Sequence, residues 1–130
     1  MPTPPPDVVG HEPEPLYAFA YLSAPTVAFS DRDLSDLLLA ARHANAARGV
    51  TGKLVVLEGA AGVVRFAQYV EGPASGLTAV VERILADPRH GAFEVRRRGP
   101  VRARRFPGWD MDFQPASAEA FADEAAAVAG

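Results

Sequence analysis

The chain has 130 residues, 48% of them hydrophobic and 22% charged, which suits one globular domain with a sizeable core and excludes a disordered polymer. Its net charge of −3, from 13 basic and 16 acidic side chains, argues against a nucleic-acid binder that works through its whole surface. The absence of cysteine excludes disulfides, thiolate metal sites, iron–sulfur clusters and cysteine nucleophiles together.

Residues 1–15 hold six of the twelve prolines beside Asp7, Glu12 and Glu14, a composition that cannot bury enough surface to order itself, so a disordered tail is expected there. No apolar run approaches the ~18 residues of a spanning helix, and the N-terminus lacks a basic start followed by an apolar stretch. A cytoplasmic protein without a membrane segment is therefore expected. From Leu16 the chain alternates Tyr17, Phe19 and Tyr21 with Leu16, Ala18, Ala20 and Leu22. Both faces are apolar, which predicts a central strand ended by Pro25.

Ser30 with Asp33 three residues on, and Asp31 in the first turn, begins a capped helix with an apolar stripe of Leu34, Leu37, Leu38 and Ala41. At 100° per residue Asn45 falls about 20° from Leu34 on that face, placing an amide where a leucine is expected. Arg48-Gly49 closes the helix. Val50–Leu57 and Val63–Val70, joined through Gly59 and Gly62, form a predicted hairpin in which Gln68 interrupts the apolar row of Val64, Phe66 and Val70. A second amphipathic helix follows Pro73, carries Leu77, Val80, Val81, Ile84 and Leu85, and stops at Asp87-Pro88. Strands are predicted over Phe93–Arg98 and Trp109–Phe113, then an alanine-rich helix over Ala118–Val128, whose small side chains should dock only marginally. The order βαββαβ with an added strand and a C-terminal helix is an α+β, ferredoxin-like plan. It divides the chain into the tail 1–15, a domain over 16–115 and a helical cap over 116–130.

Three polar side chains need an explanation, because a buried phenol or amide without a partner costs roughly 1–3 kcal/mol. Each of Tyr21, Asn45 and Gln68 can be satisfied by a nearby backbone group. In the ferredoxin-like plan, however, the first and third strands are central neighbours beneath the first helix, so all three can converge on one apolar-walled pocket. That is how a site for a planar cofactor is built.

The fragments AYLS around Tyr21, NAARGVTG from Asn45, FAQYVEG from Phe66, DPRH from Asp87 and RRFPGWDM from Arg104 stand in one order and spacing. Through them the stretch Leu16–Phe113 resembles the BLUF family, the sensors of blue light that use FAD. The resemblance implies non-covalent FAD, with FMN and riboflavin as alternatives. It implies that Tyr21 gives an electron and a proton to the excited flavin, and that Gln68, between tyrosine and flavin, rearranges its amide. Asn45 would bond the polar edge of the ring, Asp87 the ribityl hydroxyls and Arg89 a phosphate, with His90 completing the D-x-R-H segment. Trp109 and Met111 match a W-x-M pair on the last strand that carries the change outward. Asp87 and Arg89 also suit a solvated helix C-terminus, and Trp109 and Met111 suit ordinary core. Ala41 and Ala44 stand where polar residues are common beside the ring, and Lys53 where an apolar residue is usual, which bears on affinity, spectral tuning and recovery rate.

A chain of this length leaves no room for an effector enzyme, so the resemblance implies output through an unidentified downstream protein or through a homo-oligomer. A rival reading uses Tyr17, Phe19 and Tyr21 to stack single-stranded RNA beside the six arginines of residues 96–105. The glycine–aromatic signature of such modules is absent, so nucleic acid is not the expected partner. An enzyme is not expected either: His11, His43 and His90 have no metal-ligand spacing, no metal site is assigned, and no serine–histidine–acid set can assemble.

Overall fold

The Ser30 hydroxyl accepts the Asp33 backbone N–H at 3.1 Å while the Asp33 carboxylate accepts the Ser30 N–H at 2.9 Å, a reciprocal cap typically worth ~1 kcal/mol. It starts a helix that ends where Gly49 takes a φ of +68°, a left-handed turn that glycine adopts without the Cβ penalty. The computed structural model describes residues 14–129, so residues 1–13 of the expected tail lie outside it. In chain order the elements are β1 (Leu16–Pro25), α1 (Asp31–Ala47), β2 (Thr51–Gly59), β3 (Gly62–Pro73), α2 (Ala74–Ala86), β4 (His90–Val101), β5 (Asp112–Ala116) and α3 (Ala118–Ala129).

The five strands form one sheet in the order β4-β1-β3-β2-β5, antiparallel throughout except for the parallel β2–β5 pair. This is the expected ferredoxin-like plan with an added strand. Because side chains alternate across a strand, each central strand supplies two cores. Phe19, Tyr21, Leu54, Phe66 and Val70 pack under Leu34 and Leu38 of α1 and Leu77 and Val80 of α2. On the other face Ala18, Ala20, Leu22, Val55, Ala67 and Tyr69 pack under Phe121, Ala125, Val128 and Ala129 of α3. The terminal helix is thus held by more than an alanine stripe, since burying Phe121 and Val128 stabilises its docking by roughly 1.5–3 kcal/mol each.

The last strand departs from the sequence expectation. Pairing with β2 begins at Lys53 opposite Asp112, not at Trp109. Upstream of that point Trp109 O still accepts from Gly52 N of β2 at 3.0 Å, but Asp110 O is taken by Asn45 Nδ2 at 2.6 Å and Met111 O by Arg42 Nε at 3.0 Å. A carbonyl so engaged is not free for a regular ladder, and Gly108 at φ +81° turns the chain just before it. Trp109 and Met111 therefore lie in the segment ahead of β5, Met111 buried and Trp109 55% exposed. β4 runs beyond Phe93–Arg98 at both ends because β1 offers partners from Leu16 to Pro25. Lys53 finds Asp112 across the β2–β5 pair at 3.7 Å.

Glu71 is fully buried on the α3 face. Its carboxylate accepts the N–H groups of Arg105 and Phe106, both at 2.8 Å, and the Thr51 hydroxyl at 3.1 Å. A desolvated carboxylate is tolerated because its lone pairs are filled by main-chain donors. We expect Glu71→Gln to lower stability by roughly 2–4 kcal/mol, because the amide nitrogen turns a donor toward one of these N–H groups. Urea unfolding checks the loss, and amide exchange should rise first at Arg105 and Phe106.

Candidate functional site

Tyr21 of β1 lies opposite Gln68 of β3 in the central pair of the sheet. Both face the side covered by α1 and α2 and both are buried. The Tyr21 hydroxyl donates to Gln68 Oε1. Above them, between the two helices and the sheet, opens a cleft with about 770 Å³ of free space that is continuous with solvent. Tyr21, Asn45, Gln68, Asp87, Arg89 and His90 all line it, with Met111. Trp109 does not. The cleft is thus bounded by both helices, where the sequence had pointed to the first alone.

The polar groups differ in how far the protein itself satisfies them. Among the described residues Gln68 Nε2 reaches only the Met111 thioether, at 3.6 Å, and sulfur is a weak acceptor. Asn45 donates through Nδ2 to Asp110 O at 2.6 Å, and its Oδ1 has no hydrogen-bond partner among the described residues. His90 has both ring nitrogens engaged: Nε2 faces Ile84 O at 3.0 Å and Nδ1 faces Ser23 Oγ at 2.8 Å. A carbonyl can only accept, so Nε2 carries the proton and Nδ1 accepts from the serine. His90 stands in the cleft as an aromatic wall, with its ring 4.8 Å from that of Phe93 and 6.0 Å from that of Tyr21.

Asp87 and Arg89 spend most of their capacity on each other. Arg89 Nε donates to Oδ1 at 2.9 Å and to Oδ2 at 3.2 Å, Nη2 to Oδ2 at 2.7 Å, and the Arg89 backbone N–H to Oδ1 at 3.0 Å. The hydrogen bonds from Arg89 hold the Asp87 carboxyl below its usual range, and the same pairing raises the guanidinium. Arg89 Nη1 has no hydrogen-bond partner among the described residues. Arg83, on the last turn of α2, also lines the cleft and has no ion pair or hydrogen bond among the described residues. Sequence reasoning passed over Arg83, although its spacing of three from Val80 is the signal that puts both on one helix side. Ala41 and Ala44 line the α1 wall as small apolar groups.

Burial pushes the Tyr21 phenol far above its ordinary value, with the Asp87 charge adding to the effect, so this hydroxyl stays protonated and acts as the donor. Burial likewise lowers His90, against a smaller opposing contribution from its bond to Ile84 O.

The RNA-stacking reading loses its platform here. Phe19 and Tyr21 are buried beneath the helices, and Tyr17 packs against the same core. Three of the six arginines are also engaged within the fold: Arg96 with Glu94, Arg104 with Thr51 Oγ1 and Gly49 O, and Arg105 with the α3 carbonyls of Ala127 and Val128. Among the described residues no cluster of three or more acidic or histidine side chains is placed to hold a metal, and no helix is long and apolar enough to cross a membrane.

Residues 16–112 match the family model described as sensors of blue-light using FAD. The chain belongs to the BLUF family. Among solved structures, BlrB, a BLUF protein in its dark state, is similar with a TM-score of 0.71 at 33% identity, over 84% of this chain and 78% of that one. The structure of Klebsiella pneumoniae BlrP1 with FMN and cyclic diGMP is similar at TM-score 0.68 and 26% identity, over 87% of this chain and 30% of that one. The photoactivated adenylate cyclase subunit beta of Euglena gracilis is 31% identical over 97 residues, which is 74% of this chain. This chain spans only 11% of the length of that curated relative. The BLUF match covers every lining residue described above from Tyr21 to Met111.

A His90 that is neutral when folded and protonates more readily when unfolded makes stability pH-dependent. Unfolded His takes up its proton near 6.5, the folded ring at a lower pH, so the unfolded state binds more protons between the two. His90's contribution is complete above about pH 7.5 and declines as pH falls through 6.5. Urea midpoints between pH 5 and 8 should show this slope in the parent protein, and it should be smaller in His90→Asn.

Proposed function

We propose that this BLUF chain is a blue-light receptor that holds FAD non-covalently in the cleft, is switched by Tyr21 and Gln68, and signals through contact with another protein. One observation carries the reading: a buried phenol–amide pair lies on the cleft wall, with the donor end of the amide committed to nothing stronger than a thioether. An amide nitrogen so placed has capacity left for a ring acceptor, and the unpartnered Asn45 Oδ1 has it for a ring N–H. The rest of the lining also suits this cofactor. Leu38, Ala41, Ala44 and Ile84 give apolar walls, and Arg83 with Nη1 of Arg89 supplies cationic donors for phosphates. The structure of BlrP1 with FMN keeps the mononucleotide as an alternative occupant.

Bound flavin supplies absorption of blue light and, when excited, a strong one-electron oxidant. In the protein, Tyr21 is the electron donor, and loss of an electron from its ring makes the Oη proton acidic. Gln68 Oε1 already accepts that proton in a hydrogen bond, so it has a direct path to move along. The amide then rotates or changes tautomer, and presents a different donor–acceptor pattern on both sides. Asn45 fixes the polar edge, Asp87 meets hydroxyls and His90 keeps the Tyr21 side of the cleft dry. Met111, which already touches Gln68 Nε2, is the first residue to register the change.

FAD-loaded protein should show a small reversible red shift after blue light. Tyr21→Phe and Gln68→Leu should keep flavin and lose the shift. A protein that takes up no flavin refutes the reading. Titration with FAD, FMN and riboflavin tests the phosphate contacts. Arg83→Ala and Arg89→Ala should each weaken FAD about fivefold to tenfold, as loss of a charge-assisted hydrogen bond does, and leave riboflavin nearly unchanged.

A further inference from the structure

Met111 is held at both ends. Gln68 Nε2 meets its sulfur at 3.6 Å, and Arg42 Nε donates to its carbonyl at 3.0 Å. Arg42 and Asn45 stand three residues apart on α1, so they reach from one side of that helix, and they take the consecutive carbonyls of Met111 and Asp110. One residue later β5 begins. A thioether is too weak an acceptor to hold this segment against the amide by itself, whereas a hydrogen bond from a guanidinium is roughly twice as strong as a neutral one. Met has three rotatable side-chain bonds, so the position of its sulfur is only as well defined as the backbone that carries it.

We propose that Arg42 is a positioning residue of the light switch: by pinning the Met111 carbonyl to α1 it keeps the Met111 sulfur at the Gln68 amide and stabilises the dark orientation of that amide. The proposal rests on the photoreceptor reading above. Arg42 is absent from the cleft lining, whereas Asn45 is part of it. Substituting Asn45 would disturb flavin directly; substituting Arg42 acts only through residues 110–112. With Arg42 removed, Asn45 still grips Asp110, but the chain from Met111 into β5 gains freedom. The sulfur then leaves the amide more often, and neither amide orientation is favoured as strongly.

The test uses the full chain. Arg42→Ala replaces an exposed helical side chain with the best helix former, so the fold is retained. In the FAD-loaded protein we expect FAD affinity within about twofold of the parent, a displaced dark absorption maximum, and a return from the light state changed about fivefold to tenfold in rate, as loss of one such hydrogen bond gives. Arg42→Lys, which can still donate to the same carbonyl, should restore most of both properties. In the cofactor-free protein, amide exchange at 111–113 should rise in Arg42→Ala and not at Leu34–Leu38. Unchanged dark spectrum and recovery in an Arg42→Ala protein that binds FAD overturns the proposal, as does failure of Arg42→Lys to restore either. If the unsubstituted, FAD-loaded protein shows no light response, the photoreceptor reading fails instead, and the exchange measurement still decides whether Arg42 holds the segment.

Discussion

The register that sets Tyr21 opposite Gln68 is the constraint on which the rest of the molecule depends. Two hydrogen-bonding side chains on the central strands, beneath two helices, have little access to water and must satisfy each other. The buried phenol is protonated and donates to Gln68 Oε1. The amide nitrogen is thereby turned away from the tyrosine, and Met111 supplies no more than a thioether to meet it. The spare donor capacity of that amide is what gives the cleft directed chemistry on apolar walls.

Much of this was legible in the sequence because it is encoded locally. The Ser30–Asp33 cap, the Gly49 turn, the Asp87-Pro88 stop and the alternation in β1 and β3 are short-range patterns, and the fold reproduces them. Asn45 and Gln68 stood out because each interrupts an apolar row, and a polar residue at a core position needs a partner. Arg42, Glu71 and the true start of β5 did not stand out. Each depends on a main-chain group from a distant segment: Met111 O for Arg42, and the N–H groups of Arg105 and Phe106 for Glu71. Backbone donors and acceptors are the same at every position, so sequence carries no mark of which one a side chain will find. Trp109 was expected at the start of the last strand, yet pairing with β2 begins at Asp112, because the intervening carbonyls of Asp110 and Met111 are taken by Asn45 and Arg42.

The arginine-rich segment is instructive in the same way. As composition it suggested a basic surface for a polyanion. In the fold, Arg104 stitches β2 and β3 to the following loop, and Arg105 lies 4.7 Å above the Tyr69 ring while donating to the last carbonyls of α3. Cations at a helix C-terminus are favoured by the helix dipole as well as by the hydrogen bonds. Two of the six arginines in this apparent charge cluster are therefore internal bracing, and Arg105 binds the loop after β4 to the terminal helix.

β3 is also where the two cores touch. Gln68 projects to the cleft side and Tyr69, the next residue, into the core under α3. With Glu71 two residues further on anchoring the loop that carries Arg105, three of four consecutive positions bear on three separate parts of the molecule. The sheet here is a partition one peptide thick. Because successive side chains stand on opposite faces, any displacement of the β3 backbone is shared by the cleft and by the core under the outer helix.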